Sequence, residues 1–259
     1  MMFIEIILTH QQITPRLVKG KICVIIDTLR ATSTIIAALN SGCREVVPAF
    51  NLQEALKLKK EKYQDYLLGG ELLGKFPQNF HLGNSPFEYS NGILKDKGLI
   101  FITTNGTRAL RKLKREGAEK ILICALLNAR KVGEWLSCQK KDVLICCAGT
   151  RGKYSLEDYF TAGRLIKDLK ETRNNFSFSD AALGALHLYN HIAEQSEKRE
   201  KAIAEAFKAS ANGQRLLKAG GEADIYFCSR EDLYPLLPFY INGSIKVKNP
   251  NPAIFYKGA

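Results

Sequence analysis

Short apolar runs rich in β-branched residues recur along this chain, each followed by a polar turn and a stretch of helical periodicity. The clearest covers residues 21–26, where Val24, Ile25 and Ile26 stand together. Others cover residues 3–8, 44–50, 99–103, 120–125, 143–148, 225–229 and 241–247. Runs of this kind predict strands buried on both faces. Between them, residues 31–41, 52–62, 107–115, 128–137, 156–170, 180–194 and 196–218 read as helices. The first ends near Gly42 and the third at Gly117, a common helix stop. Strands alternating with helices imply crossover connections. The fold expected is therefore α/β, a three-layer α/β/α arrangement with a largely parallel or mixed sheet.

Residues 23–50 and 99–125 follow one plan: strand, polar turn, Arg-Ala, helix, Gly, strand. Arg30-Ala31 matches Arg108-Ala109, and Gly42 matches Gly117. Such a βαβ duplication would set both polar turns at equivalent sheet edges. The 259 residues suit a single α/β domain, with a polar stretch at residues 171–179 as the one candidate break between sub-lobes. The tail from Lys248 is rich in Pro and Asn and is expected to fray.

Apolar residues make up 46% of the chain, enough for a full core. No apolar run approaches the roughly 20 residues of a membrane helix, and residues 1–10 lack the basic start and cleavage site of a signal peptide. Seven cysteines, an odd number without a C-x-x-C pair, lie mostly within apolar runs. They read as buried free thiols, which fits a reduced cytoplasm. The net charge of +12 is spread over helix faces, as at Lys57, Lys59, Lys60 and Lys62, and Arg111, Lys112, Lys114 and Arg115. Solvated helix faces explain it better than nucleic-acid binding. Neither nucleic acid nor membrane is expected as a partner. A homodimer would be an ordinary assembly for an α/β enzyme of this size.

Ligands of open α/β sheets sit beyond the carboxyl ends of the strands. Asp27-Thr-Leu-Arg30 follows the second run, then Thr32, Ser33 and Thr34. An aspartate there suits Mg²⁺, Arg30 suits an oxyanion, and hydroxyls at a helix start favour anions. An ordinary helix cap with a surface arginine explains this segment about as well. After residues 99–102 come Asn105, Gly106, Thr107 and Arg108, a Gly-containing turn that also ends in arginine. After residues 143–148 come Gly149, Thr150 and Arg151, then Ser155, Glu157 and Asp158. Ser155-x-x-Asp158 also fits a capping box. Two further loops carry Glu71 and the set Asn84, Ser85 and Glu88.

His187 and His191 lie four apart but lack the following Glu of zinc proteases. The chain has no G-x-S-x-G elbow, Walker loop or post-strand G-x-G-x-x-G. Position 29, two after Asp27, is leucine rather than the second aspartate of haloacid-dehalogenase-like enzymes.

Taken in order, Val24-Ile-Ile-Asp27 through Thr34, Leu68-Gly-Gly-Glu71, Leu82-Gly-Asn-Ser-Pro86, Thr103 through Arg108, and Ala148-Gly-Thr-Arg-Gly152 with Ser155-Leu-Glu-Asp158 resemble the signature set of the 2-phosphosulfolactate phosphatase family. The tail Ala223-Asp-Ile-Tyr-Phe-Cys228 extends the likeness over almost the whole chain. The resemblance implies Mg²⁺-dependent hydrolysis of 2-phospho-3-sulfolactate to sulfolactate and phosphate, a step toward coenzyme M. Such a substrate carries three anionic groups, which suits three arginine-bearing loops. On this reading Asp27, Glu71 and Asp158 hold Mg²⁺, and Arg30, Arg108 and Arg151 neutralise the substrate. Asn84, Ser85, Asn105 and Thr107 orient it, with Thr32, Ser33, Gly106, Gly149 and Thr150 beside them, and Glu157 or Glu88 is the general base. Two rivals stand: a phosphatase of another small phosphorylated acid, and a non-enzymatic polyanion-binding protein.

Overall fold

The computed structural model describes residues 2–90, 92–172, 176–194 and 197–247. Strands β1 (Met2–Ile7), β2 (Ile22–Ile26), β3 (Val46–Ala49), β4 (Leu67–Gly70), β5 (Leu99–Ile102), β6 (Lys120–Cys124), β7 (Val143–Cys147), β8 (Phe176–Phe178), β9 (Pro238–Ile241) and β10 (Ser244–Val247) form one mixed sheet. Its order is β4-β5-β3-β10-β9-β6-β2-β7-β1-β8. β4, β5 and β3 pair in parallel, as do β6, β2, β7, β1 and β8. The antiparallel β9–β10 hairpin joins the two blocks. The fold is α/β, as the strand–helix alternation predicts.

The helices are α1 (Pro15–Val18), α2 (Ala31–Asn40), α3 (Leu52–Glu61), α4 (Gly106–Arg115), α5 (Ala129–Ser137), α6 (Leu156–Thr172), α7 (Asp180–Tyr189), α8 (Arg199–Ala209), α9 (Ala211–Lys218) and α10 (Glu222–Cys228). Side chains alternate along each strand. Cys23 and Ile25 of β2 therefore join Ile35 and Leu39 of α2 and Leu110 and Leu113 of α4 in one core. Ile22, Val24 and Ile26 join Val132 of α5, Leu165 of α6 and Leu186 of α7 on the opposite face. Each fully buried side chain of this kind contributes about 1.5–3 kcal/mol, which is why uninterrupted Val/Ile runs persist only between two helical layers. A small apolar cavity is lined at once by Ile25, Val46, Phe101, Ile123 and Ile245. Side chains from β2, β3, β5, β6 and β10 meet there only because the sheet curls.

Four expectations are corrected. Residues 225–229, read as a strand, belong mostly to helix α10: Glu222 and Asp224 fall in its first turn, where the helix dipole favours them. Ile225, Phe227 and Cys228 are buried, and periodicity alone cannot separate so short an apolar run from a buried helix. Residues 241–247, read as one strand, are the end of a hairpin. Asn242 and Gly243 form its turn with φ of 50° and 93°, the left-handed pair that an Asn-Gly hairpin turn uses. The helix read over residues 196–218 breaks at extended Ser210, whose hydroxyl oxygen accepts from the Gly213 amide at 2.9 Å and caps α9. Residues 176–178, read as loop between lobes, pair with β1 instead. The tail from residue 248 lies outside the described residues.

All seven cysteines are free, six of them buried and Cys138 exposed. His187 and His191 are exposed. Among the described residues, no helix is long and apolar enough to cross a membrane.

Candidate active site

A pocket of about 280 Å³ opens where the loops after β2, β4 and β5 meet helix α9. Of the residues singled out by sequence, Asp27, Arg30, Glu71, Asn84, Asn105 and Arg151 line it. The β2 and β5 loops belong to different parallel blocks, yet they touch. A Cβ on Gly106 would lie 3.0 Å from Asp27 Oδ2 and 3.1 Å from Ala31 Cβ, so a glycine keeps this approach open.

Asp27 is buried at the end of β2. The backbone amides of Ala31 and Gly106 hydrogen-bond its carboxylate. Burial, followed by the charges of Glu71 and Glu157, nevertheless pushes the carboxyl up to about 7. Asp158 lies behind it on α6. Its Oδ1 accepts from the Thr28 amide at 2.8 Å and its Oδ2 from the Gly149 amide at 3.1 Å. Burial, then Asp27 and Glu157, raise Asp158 well above the ordinary carboxylate range. The Ser155–Asp158 capping box does not form as expected, because those bonds occupy both Asp158 oxygens and Ser155 Oγ has no partner among the described residues. Glu157 is buried too. Its Oε1 accepts from Asn212 Nδ2 at 3.0 Å, while Oε2 has no partner among the described residues.

Glu71 reaches the pocket from the end of β4. Its Oε1 accepts from the Thr104 amide at 2.7 Å, and its Oε2 from Thr104 Oγ1 at 2.9 Å and the Gly74 amide at 2.5 Å. Asn84 and Asn105 each present a buried Oδ1 without a partner among the described residues. Buried carbonyl oxygens of this kind ordinarily find a partner, so a ligand or water is expected to supply it.

Arg30 forms an ion pair with Asp224 of α10, whose Oδ1 also accepts from Ser85 Oγ at 2.5 Å. Arg30 is thus already matched to a buried carboxylate. Arg108 corrects the expectation of three converging arginines, for it is exposed and does not line the pocket. The cause is a shift in helix start within the repeat. α2 begins at Ala31, so Arg30 is its N-cap residue. α4 begins at Gly106, which places Arg108 two residues inside. At about 100° per residue, Arg108 is turned roughly 200° from the glycine that faces Asp27.

Several other candidates hold loops in shape and stand outside the pocket lining. Thr32 Oγ1 donates to the Asp27 carbonyl at 2.9 Å, and Ser33 Oγ to the Thr28 carbonyl at 2.8 Å. Thr107 Oγ1 donates to the Thr103 carbonyl at 2.5 Å. Both Glu88 oxygens accept backbone amides, from Gly83 at 2.6 Å and Ser85 at 3.3 Å, so Glu88 fastens its own turn. Gly149 and Thr150 enter the tight turn that displays Arg151, with left-handed φ at Gly149 (69°), Arg151 (54°) and Gly152 (74°).

Sequence reasoning placed Thr103 and Thr104 in a site loop without giving them a role, and it missed Leu73 and the wall formed by Asn212, Arg215 and Leu216 of α9 with Ala219 at its C-cap, all of which line the pocket. The α9 spacing of three and four residues was a legible sign of a shared face. Nothing local indicated what that face covers. Asp224 stood within the tail segment but was read into the approach to a strand.

Among the described residues, no group of three or more His, Cys, Asp or Glu side chains is gathered as a metal cage. Magnesium rarely needs one, since it is commonly bound by one or two carboxylates completed by waters and substrate phosphate. Asp27 and Glu71 stand on the pocket wall with Asp158 and Glu157 behind, and the upward push on Asp27 and Asp158 comes from burial and mutual repulsion that a hard cation would relieve. The donor set fits Mg²⁺ in that form.

Residues 7–243 match the family model for 2-phosphosulpholactate phosphatase. A relative from Clostridium acetobutylicum, named as a probable 2-phosphosulfolactate phosphatase, is 38% identical over 244 residues, covering 94% of this chain and all of its own. One of the same name from Thermotoga maritima is 39% identical over 232 residues, covering 89% of this chain and 94% of its own. One from Clostridium tetani is 37% identical over 245 residues. With the match running from the end of β1 to the β9–β10 turn, the chain belongs to the 2-phosphosulfolactate phosphatase family of phosphoric monoester hydrolases.

Proposed function

We propose that the protein hydrolyses 2-phospho-3-sulfolactate to 3-sulfolactate and phosphate with Mg²⁺, a reaction of the coenzyme M type. One observation carries this reading: a single small pocket brings acidic Asp27 and Glu71 together with cationic Arg30, Arg151 and Arg215. A phosphoester bearing extra anionic groups needs the cations, and a hard metal needs the acids.

Asp27 and Glu71 would hold Mg²⁺ on the pocket wall, and Asp158 sits behind them with both oxygens tied to backbone amides. The bound cation would polarise the phosphoryl oxygens. Arg30, kept in place by Asp224, faces the same pocket and offsets charge on the phosphoryl group. Asn84 and Asn105, each with a buried Oδ1 that has no partner among the described residues, orient the substrate. Glu157 is buried behind the wall, with Asn212 on its Oε1 and no partner on its Oε2 among the described residues, so it would take the proton of the attacking water through a relay rather than by direct contact. Thr32, Ser33, Thr107 and Glu88 support the loops.

Phosphate release from 2-phospho-3-sulfolactate, with Mg²⁺ and then with chelator, tests the reading. Turnover that stops on chelation and returns with Mg²⁺ is expected. Folded, Mg²⁺-supplied protein that leaves this ester intact while cleaving sulfonate-free phosphorylated acids would replace the substrate. Release unaffected by chelation would remove the metal.

A further inference from the structure

The pocket's positive charge is unevenly compensated. Arg30 is paired with buried Asp224. Arg151 and Arg215 line the same pocket, both exposed, and among the described residues neither has a carboxylate partner. Arg215 is nevertheless held. Its Nη2 donates to Asn212 Oδ1 at 2.7 Å. Asn212 in turn donates to the Leu29 carbonyl at 2.6 Å and to Glu157 Oε1 at 3.0 Å. One amide side chain thus fixes a guanidinium of α9 relative to the loop that carries Asp27 and Arg30. Residues 212, 215 and 216 lie on one helical face, so α9 presents this wall as a rigid surface.

We propose that Arg215 is a specificity-determining residue, which with Arg151 binds the sulfonate of the substrate rather than the reacting phosphoryl. This rests on the hydrolase reading above and deepens it. On that reading the carboxylates of the loops after β2 and β4, which would hold the cation, serve the phosphoryl end. The wall from α9 supplies a preorganised guanidinium, without a carboxylate partner among the described residues, for a second anion, the sulfonate. A planar guanidinium binds such a group through paired N–H donors. Simple phosphomonoesters lack that second anion and forgo the contact.

The test compares wild type, Arg215→Leu and Arg215→Lys on 2-phospho-3-sulfolactate and on 2-phospholactate, the same ester without its sulfonate. The expected result is a KM for the sulfonate-bearing ester raised about 10- to 100-fold in Arg215→Leu, the range for losing one charge-assisted hydrogen-bond pair. Its kcat should change far less. KM for 2-phospholactate should rise much less, so the preference collapses, and Arg215→Lys should recover part of it. An unchanged preference, or equal losses on both esters, overturns the proposal. Calorimetric binding of 3-sulfolactate and lactate separates this from the hydrolase reading. Absent turnover by wild type refutes that reading alone, whereas sulfolactate binding no tighter than lactate, or equally tight in Arg215→Leu, refutes the role of Arg215.

Discussion

Replacing Asp27 by Asn should make the metal-free protein more stable at neutral and alkaline pH while removing a group its activity needs. An aspartate carboxyl ordinarily titrates at 3.8, and in the folded chain Asp27 is pushed up to about 7 by burial, then by Glu71 and Glu157. The folded state therefore holds this proton more tightly than the unfolded chain. Below pH 3.8 both states are protonated and the stabilising contribution is complete; it is lost as pH rises through 7. At about 1.36 kcal/mol per pH unit, the loss reaches at most roughly 4 kcal/mol above pH 8. Asparagine is neutral throughout and keeps an oxygen for the Ala31 and Gly106 amides. Urea midpoints of both proteins in chelator, at roughly pH 5, 7 and 8.5, should show an advantage for the variant that grows with pH. Adding Mg²⁺ should narrow the gap, because a ligand that binds the folded state stabilises the wild type. An advantage that is the same at every pH, or a variant less stable than wild type at alkaline pH, would contradict the electrostatic account of this site.

Gly70→Ala should destabilise the protein by more than about 3 kcal/mol, readable as a large drop in melting temperature. Its φ is +117°, and the new Cβ would fall 1.9 Å from the Ile102 carbonyl oxygen on β5; melting alongside wild type would show that β4 can shift without cost. Asp224→Ala should cost about 3–5 kcal/mol and lower turnover, since it strands the part-buried Arg30 and removes the acceptor of Ser85. Asp224→Asn, which keeps that acceptor, should lose turnover with a smaller stability cost, and full activity in Asp224→Asn would show that the Arg30 pairing is not needed.

Much of the fold was legible because burial on two faces leaves a strong local trace. Val24-Ile25-Ile26 cannot be solvated cheaply, so its place in a central strand follows from composition. Gly42 and Gly117 end their helices with φ of 91° and 88°, as a residue without a side chain allows. Less local features were not legible. Residues 225–228 are mostly apolar in either state, and what decides for a helix is tertiary packing, with Phe227 set against Phe87 and Tyr234. Arg30 and Arg108 look equivalent in the repeat, yet a three-residue difference in where their helices begin turns one into the pocket and the other toward solvent.

By itself, then, the sequence determined the alternating α/β order, the buried sheet core and the polar loops from which Asp27, Arg30, Glu71 and Arg151 enter a common pocket. These depend on neighbours a few residues away. Only the tertiary structure decided that the β9–β10 hairpin joins two parallel blocks, that the curled sheet brings Gly106 against Asp27, and that α9 closes the pocket with Asn212 and Arg215. Such contacts join residues far apart along the chain, 183 positions in the case of Asn212 and the Leu29 carbonyl. They arise from how whole elements pack, which no local pattern of side chains encodes.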